Sequence, residues 1–194
     1  TMKKIALFGV LLAFFCIVNH TEANDNMNAL NAKEQKIVAI AAYTARGDMP
    51  KLKTALAAGL DAGLTVNGIK EVLTQLYAYC GFPRSLNALG CYMVLLKERE
   101  AAGIRDAQGR QPGPLPAGKS IDFGTANQTK LCGAPVRGAL FEFAPAIDEY
   151  LKAHLFGDIF GRDNLDWRTR EIATIAALTA MPGVESQLNS HIAI

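Results

Sequence analysis

Apolar residues along this chain recur at helical spacing, and no stretch alternates convincingly between apolar and polar positions, so the pattern predicts helices without strands. Asn31 followed by Glu34 reads as a capping box opening a helix that runs to about Arg46. A second helix is predicted from about Met49 to Ala62, ended by Gly63. Thr65 caps a third, in which Ile69, Val72, Leu73, Leu76, Tyr77 and Cys80 follow the i, i+3, i+4, i+7 rule of a buried stripe, with Gly81 and Pro83 as its stop. A fourth spans about Ser85 to Ala102, turning Leu86, Leu89, Met93 and Leu96 inward and ending at Gly103.

Beyond Gly103 the pattern lapses. Gly109, Gly113 and Gly118 interleave with Pro112, Pro114 and Pro116, the composition of an extended arm or linker, and residues 103–135 are assigned to it. Helices resume near Pro145, where Ile147, Tyr150, Leu151 and Leu155 share a face, and Asp166 caps another. The predicted fold class is therefore all-α, a bundle of helices.

The hydrophobic pattern also repeats. The run LNAKEQKIVAIAAYTA from Leu30 returns as LDWRTREIATIAALTA from Leu165, pairing Ile37 with Ile172, Ile40 with Ile175 and Thr44 with Thr179. One inserted residue later Leu52 meets Leu188, and Ala55 falls opposite His191. The two copies, residues 24–102 and 136–194, thus share a skeleton but differ at a position that titrates near neutral pH. The second copy stops three residues past His191, before any counterpart of GLDAGLTVNGIKEVLTQLYAYCGFPRSL, and Thr1 precedes Met2. Both features read as those of a fragment.

Residues 1–23 read as a cleaved export signal: Lys3 and Lys4, an apolar run from Ile5 to Val18, then Thr21-Glu22-Ala23. The apolar run is too short to span a bilayer. Phe14 and Phe15 stand before Cys16 where lipid attachment requires small residues, so a soluble periplasmic or secreted protein is expected, not held to a membrane. A net charge of +2 with scattered basic residues gives no nucleic-acid surface. After cleavage Cys80, Cys91 and Cys132 remain, an odd number that leaves at least one free thiol. Cys80 and Cys91 are open to pairing as a disulfide, or to burial as small apolar residues, the more ordinary outcome.

Three polar residues stand out for chemistry. Glu171 lies inside the apolar run EIATIAAL, where a buried carboxylate is costly unless paired. His191 is four positions from Gln187 on a predicted helix, and a Glu and a His on adjacent antiparallel helices would form such a pair. Glu71, with Gln75 one turn away, reads more simply as part of a solvated helix face.

The elements RTREIATIAAL and QLNSHI in the second copy, and GLTVNGIKEVLTQLYAYCGFPRSLNAL in the first, resemble the carboxymuconolactone decarboxylase family, which includes the alkylhydroperoxidase-D-like proteins. The resemblance runs over most of residues 30–194. It implies an all-helical bundle, usually assembled as trimers or hexamers, and tandem copies occur in the family. It implies two chemistries. The peroxidase branch carries Cys-x-x-Cys-x-x-x-His, because one thiolate attacks peroxide and a second thiol resolves the sulfenic acid. Here that window reads Val184-x-x-Gln187-x-x-x-His191 in one copy and Asp48-x-x-Lys51-x-x-x-Ala55 in the other, so the thiol pair is missing, and Cys80 is the remaining redox candidate. The decarboxylase branch keeps histidine and glutamate and needs no cofactor or metal. It implies His191 as the acid/base group, Glu171 as its partner and Glu71 as a weaker catalytic candidate, with Arg168 and Arg170 clamping a substrate carboxylate. The substrate would be a small carboxylated lactone or related acid. A non-catalytic oligomeric binding module is the reading from outside enzymology.

Overall fold

The computed structural model describes residues 30–194, so the stretch expected to be an export signal, with Cys16, lies outside the described residues. The described chain is all-α: α1 (Ala32–Arg46), α2 (Met49–Asp61), α3 (Val66–Gln75), α4 (Tyr77–Ala101), α5 (Ser120–Cys132), α6 (Ala139–Phe143), α7 (Pro145–Glu149), a π-helical segment (Tyr150–Ile159), α8 (Trp167–Thr179) and α9 (Glu185–Ile192). No described helix is long and apolar enough to cross a membrane.

Capping chemistry sets the first boundaries. The Asn31 side chain accepts from the Lys33 and Glu34 amides, and Glu34 accepts in return from the Asn31 amide at 2.8 Å, which starts α1; Gly47, at φ 71°, ends it. The second copy of the repeated run is started by the same device, with Asp166 accepting from the Thr169 amide at 2.9 Å. α1 and α8, which carry the two similar runs, pack on each other. Ile37, Ile40, Ala41 and Ala45 of α1 share one core with Ala173, Ala176 and Ala177 of α8, and α2, α3 and α4 close it with Leu52, Leu56, Ile69, Leu73 and Tyr92. Alanines along α8 let the two helix backbones approach closely.

The fourth predicted helix is present, and of the residues predicted inward Leu89 and Leu96 pack partly buried against the core while the other two do not. Ser85, Ala88, Tyr92 and Leu95 are buried, whereas Leu86 and Met93, expected inside, are 61% and 55% exposed. Ser85 explains the choice: its hydroxyl donates to the Leu73 carbonyl at 2.7 Å, and that bond draws the small-residue face of α4 against α3. The richer apolar stripe, Phe82, Leu86 and Met93, is left on the surface. The predicted stop at Gly81 is present: its backbone, at φ 83° and ψ 157°, is non-helical and interrupts α4 there, whereas Leu76, between α3 and α4, keeps a helical conformation.

The segment predicted as a linker is a docked arm followed by a helix. Ala107 and Gln108 accept, each at 2.9 Å, from the Val66 and Asn67 amides, so the arm satisfies two donors at the start of α3 that would otherwise be unpaired. Arg99 fixes the near end by gripping Asp106 at 2.9 and 2.8 Å, and Asp163 fixes the far end by accepting from Arg110 at 2.7 Å and from the Gly113 amide at 2.8 Å. From Ser120 the chain is helical, inside the stretch assigned to the linker. This α5 lies along the π-helical segment through glycine contacts: a Cβ on Gly124 would run into the Lys152 carbonyl oxygen, and one on Gly157 would come within 2.6 Å of the Ser120 carbonyl oxygen. Leu155, Phe156, Ile159 and Phe160 form a second small core with Leu151 and Trp167. Of the face predicted here Leu155 and Leu151 join this small core, whereas Ile147 and Tyr150, expected to point inward, are 44% and 64% exposed.

Candidate active site

Arg170 and Thr174 tie α8 to α3 through Gln75 and Glu71, while Glu171 faces another way. Glu171 meets α9: its Oε2 accepts from His191 Nδ1 at 2.7 Å, with both side chains largely buried. Because an ionised carboxylate only accepts, this bond puts the proton on Nδ1 and leaves Nε2 as the working atom of the ring. Tyr79, near the start of α4, stands edge-on to the imidazole, with ring centroids 5.5 Å apart. Burial, with the Glu171 charge adding to it, pushes the Tyr79 phenol above its ordinary range and keeps it protonated. Glu171 Oε1, the second oxygen of that carboxylate, is buried without a hydrogen-bond partner among the described residues, and the buried Tyr79 hydroxyl lies toward Thr174. A buried acceptor of this kind calls for a partner such as water.

Glu71 does not join this pair. It is 3% exposed, not on a solvated face, and it accepts from Arg162 at 2.8 and 3.0 Å, from Arg170 at 2.9 Å and from Asn164 at 3.1 Å. Burial opposes the charged form, but the bonds from Arg162, Arg170 and Asn164 outweigh it and hold the Glu71 carboxyl below its ordinary range. A carboxylate so fully occupied is a structural counter-ion, which corrects its expected catalytic role. Arg170 is corrected with it. Its guanidinium is fully buried and held by Glu71, by Gln75 Oε1 at 3.0 Å and by the Arg162 carbonyl at 3.0 Å, leaving no terminal nitrogen to clamp a substrate. Gln75 completes the tie, donating to the Arg170 carbonyl and the Thr174 hydroxyl at 2.9 Å each.

Arg168 is on the surface, its Nε donating to Glu34 Oε1 at 2.9 Å, and it lines a cleft among the starts of α1, α3 and α8 that shares no residue with the His191 pair. All three described cysteines are free, so Cys80 and Cys91 are not bridged. Cys80 is half-buried, donates to the Leu76 carbonyl at 3.1 Å, and has its thiol pushed up by burial, the opposite of an activated thiolate. Cys132, at the end of α5, is exposed, and burial of its sulfur and the nearby Glu171 charge push it up as well. Among the described residues no three His, Cys, Asp or Glu side chains gather in a metal-binding group.

Sequence reasoning found His191 and Glu171 but missed Tyr79 and Cys132 as their neighbours. Tyr79 left a faint signal, since it is a large polar aromatic one residue before the end of an apolar stripe.

Residues 11–92 match the model of the Carboxymuconolactone decarboxylase family. The described part of that match is α1 to α3 and the larger part of α4, so similarity to the family is established for the first copy, and the match stops short of Glu171 and His191. No curated protein matches the chain.

Proposed function

We propose that this protein is a cofactor-free acid/base enzyme of the decarboxylase type, acting on a small carboxylated lactone or related acid, with His191 as the proton-transferring group and Glu171 as its partner. One observation carries the reading: a largely buried histidine with a carboxylate on Nδ1 and no partner on Nε2 among the described residues, set beside the Tyr79 ring. If the leaving carboxylate sits β to a carbonyl, breaking its carbon–carbon bond releases carbon dioxide and leaves the electron pair as an enolate. The imidazolium proton on Nε2 is then delivered to carbon. Glu171 orients the ring and balances its charge while it is protonated, and solvent returns the proton. Thiol-dependent hydroperoxide reduction through Cys80 fits less well, because that thiol is packed and its pKa is raised.

Export remains part of the proposal, as does assembly of a homo-oligomer, trimer or hexamer, for which the exposed Phe82, Leu86 and Met93 are the support. Light scattering that finds only monomer would end that part. The test of function is a screen of lactone acids for carbon dioxide release. His191→Gln should abolish turnover and Glu171→Gln should lower it by about 10²-fold or more, with circular dichroism unchanged. Turnover that survives His191→Gln at the parent rate removes the dyad from catalysis.

A further inference from the structure

A second place on the molecule is built to hold a small molecule. The cleft among the starts of α1, α3 and α8 has a volume of about 400 Å³, within the range of small-molecule sites. Its floor is apolar, made by Ile37, Ile40, Ile69 and Val72. Two cations stand at its rim. Lys33 is exposed and in no ion pair among the described residues, and Arg168 uses only Nε on Glu34, so its two terminal nitrogens have no partner there. Glu34 is committed elsewhere too, since its other oxygen closes the capping box on the Asn31 amide. The carboxylate therefore orients the guanidinium without saturating it. Helix amides contribute little at this point: the first ones of α1, α3 and α8 are taken by Asn31, Thr65, Asp166 and the 107–108 carbonyls. An incoming head group must be met by side chains, and Lys33 and the terminal nitrogens of Arg168 are the cationic donors open to it; the lining carboxylates Glu34 and Asp166 are engaged as caps, and Asn164 Oδ1 is an acceptor without a partner among the described residues.

We propose that this cleft is a binding site, separate from the His191 pair, for a compact organic anion: an apolar ring or short chain laid over the isoleucine floor, with its anionic head on the Arg168 fork and near Lys33. Guanidinium offers two parallel donors to a planar carboxylate, which gives the site its orientation. The proposal stands whatever the reaction at His191 proves to be.

The probe is naphthalene-2-carboxylate, titrated into the ¹⁵N-labelled protein and followed by amide shifts, with naphthalene-2-methanol and sulfate as the uncharged and the headless controls. Saturable shifts should centre on Gly63, Gly68 and Thr169, and the alcohol and sulfate should each bind at least about tenfold more weakly. Arg168→Gln should weaken the carboxylate by about tenfold, and Lys33→Gln by less. Glu34→Gln, which keeps a capping-box residue but removes the competing charge, should leave binding equal or tighter. Three outcomes overturn the proposal: equal binding of acid and alcohol, indifference to Arg168→Gln in a variant with unchanged circular dichroism, or shifts centred on His191 or on the apolar groove at Ile172 and Ile175. Matching titrations of the His191→Gln variant separate this site from the catalytic reading, since they should be unaffected.

Discussion

Replacing Glu71 with alanine should cost far more stability than removing an ordinary surface acid. The substitution deletes four hydrogen bonds, two from Arg162, one from Arg170 and one from Asn164. Arg162 is 36% exposed and can turn to water, but Arg170 is fully buried and cannot. The dominant effect is thus an unpaired guanidinium left inside the protein, for which breaking a buried pair costs about 3–5 kcal/mol. At roughly 2–4 °C per kcal/mol for a chain of this size, the melting temperature should fall by roughly 6–20 °C. Urea unfolding followed by circular dichroism reads the loss directly. The double variant Glu71→Leu, Arg170→Met should recover much of it, because apolar replacement removes both buried charges. A single-variant loss under about 1 kcal/mol, or a double variant no better than the single one, would refute the assignment of Glu71 and Arg170 as a buried structural pair.

The same pair sets a pH dependence. The folded Glu71 carboxyl lies below its ordinary range, so the unfolded chain binds the proton more readily, and stability rises with pH across the gap. The contribution is complete above the ordinary carboxylate value of about 4.3 and is lost as pH falls through the depressed one. Urea midpoints measured downward from pH 7 should drop in that window, and by less in Glu71→Gln. Gly124→Ala gains about 1 kcal/mol of helix propensity but forces a methyl group into the Lys152 carbonyl. Overpacking of roughly 1–3 kcal/mol against backbone that cannot yield should win, lowering the unfolding midpoint read by Trp167, the one tryptophan in the chain; a raised midpoint would show that α5 and the π-helical segment do not pack as described. Iodoacetamide labelling resolved by peptide mass should reach the exposed Cys132 before the half-buried Cys80 and Cys91, and the reverse order would contradict their placement.

Much of this architecture was legible because it is local. The caps at Asn31, Thr65 and Asp166 lie within three residues of the donors they satisfy, and the Leu30 and Leu165 runs carry the same apolar period into two helices that pack together. The orientation of α4 was not legible. Both of its faces are apolar, and the period alone selects the larger residues, Leu86 and Met93, over the small Ser85 and Ala88 face chosen by a hydrogen bond to Leu73. The burial of Glu71 was hidden for a different reason. Its counter-ion Arg170 lies 99 positions away, so each looks like a surface charge until the chain brings them together. Glu171 was easier to find, since an acid heading the largely apolar run EIATIAAL has to be paired if buried, and His191 waits on the next helix. α5 escaped notice because its sequence, SIDFGTANQTKLC, has no clear apolar stripe and it packs through a glycine.

The dyad itself is open to direct observation. Long-range ¹H–¹⁵N correlation of the imidazole nitrogens, assigned through the His191→Gln variant, reports which nitrogen carries the proton. The neutral ring of His191 should be protonated on Nδ1, with Nε2 bearing the lone pair, and Glu171→Gln should disturb that preference. A neutral ring protonated on Nε2, or one averaging between the two forms as a solvent-exposed histidine does and unchanged by Glu171→Gln, would contradict the His191–Glu171 pair on which the functional reading depends.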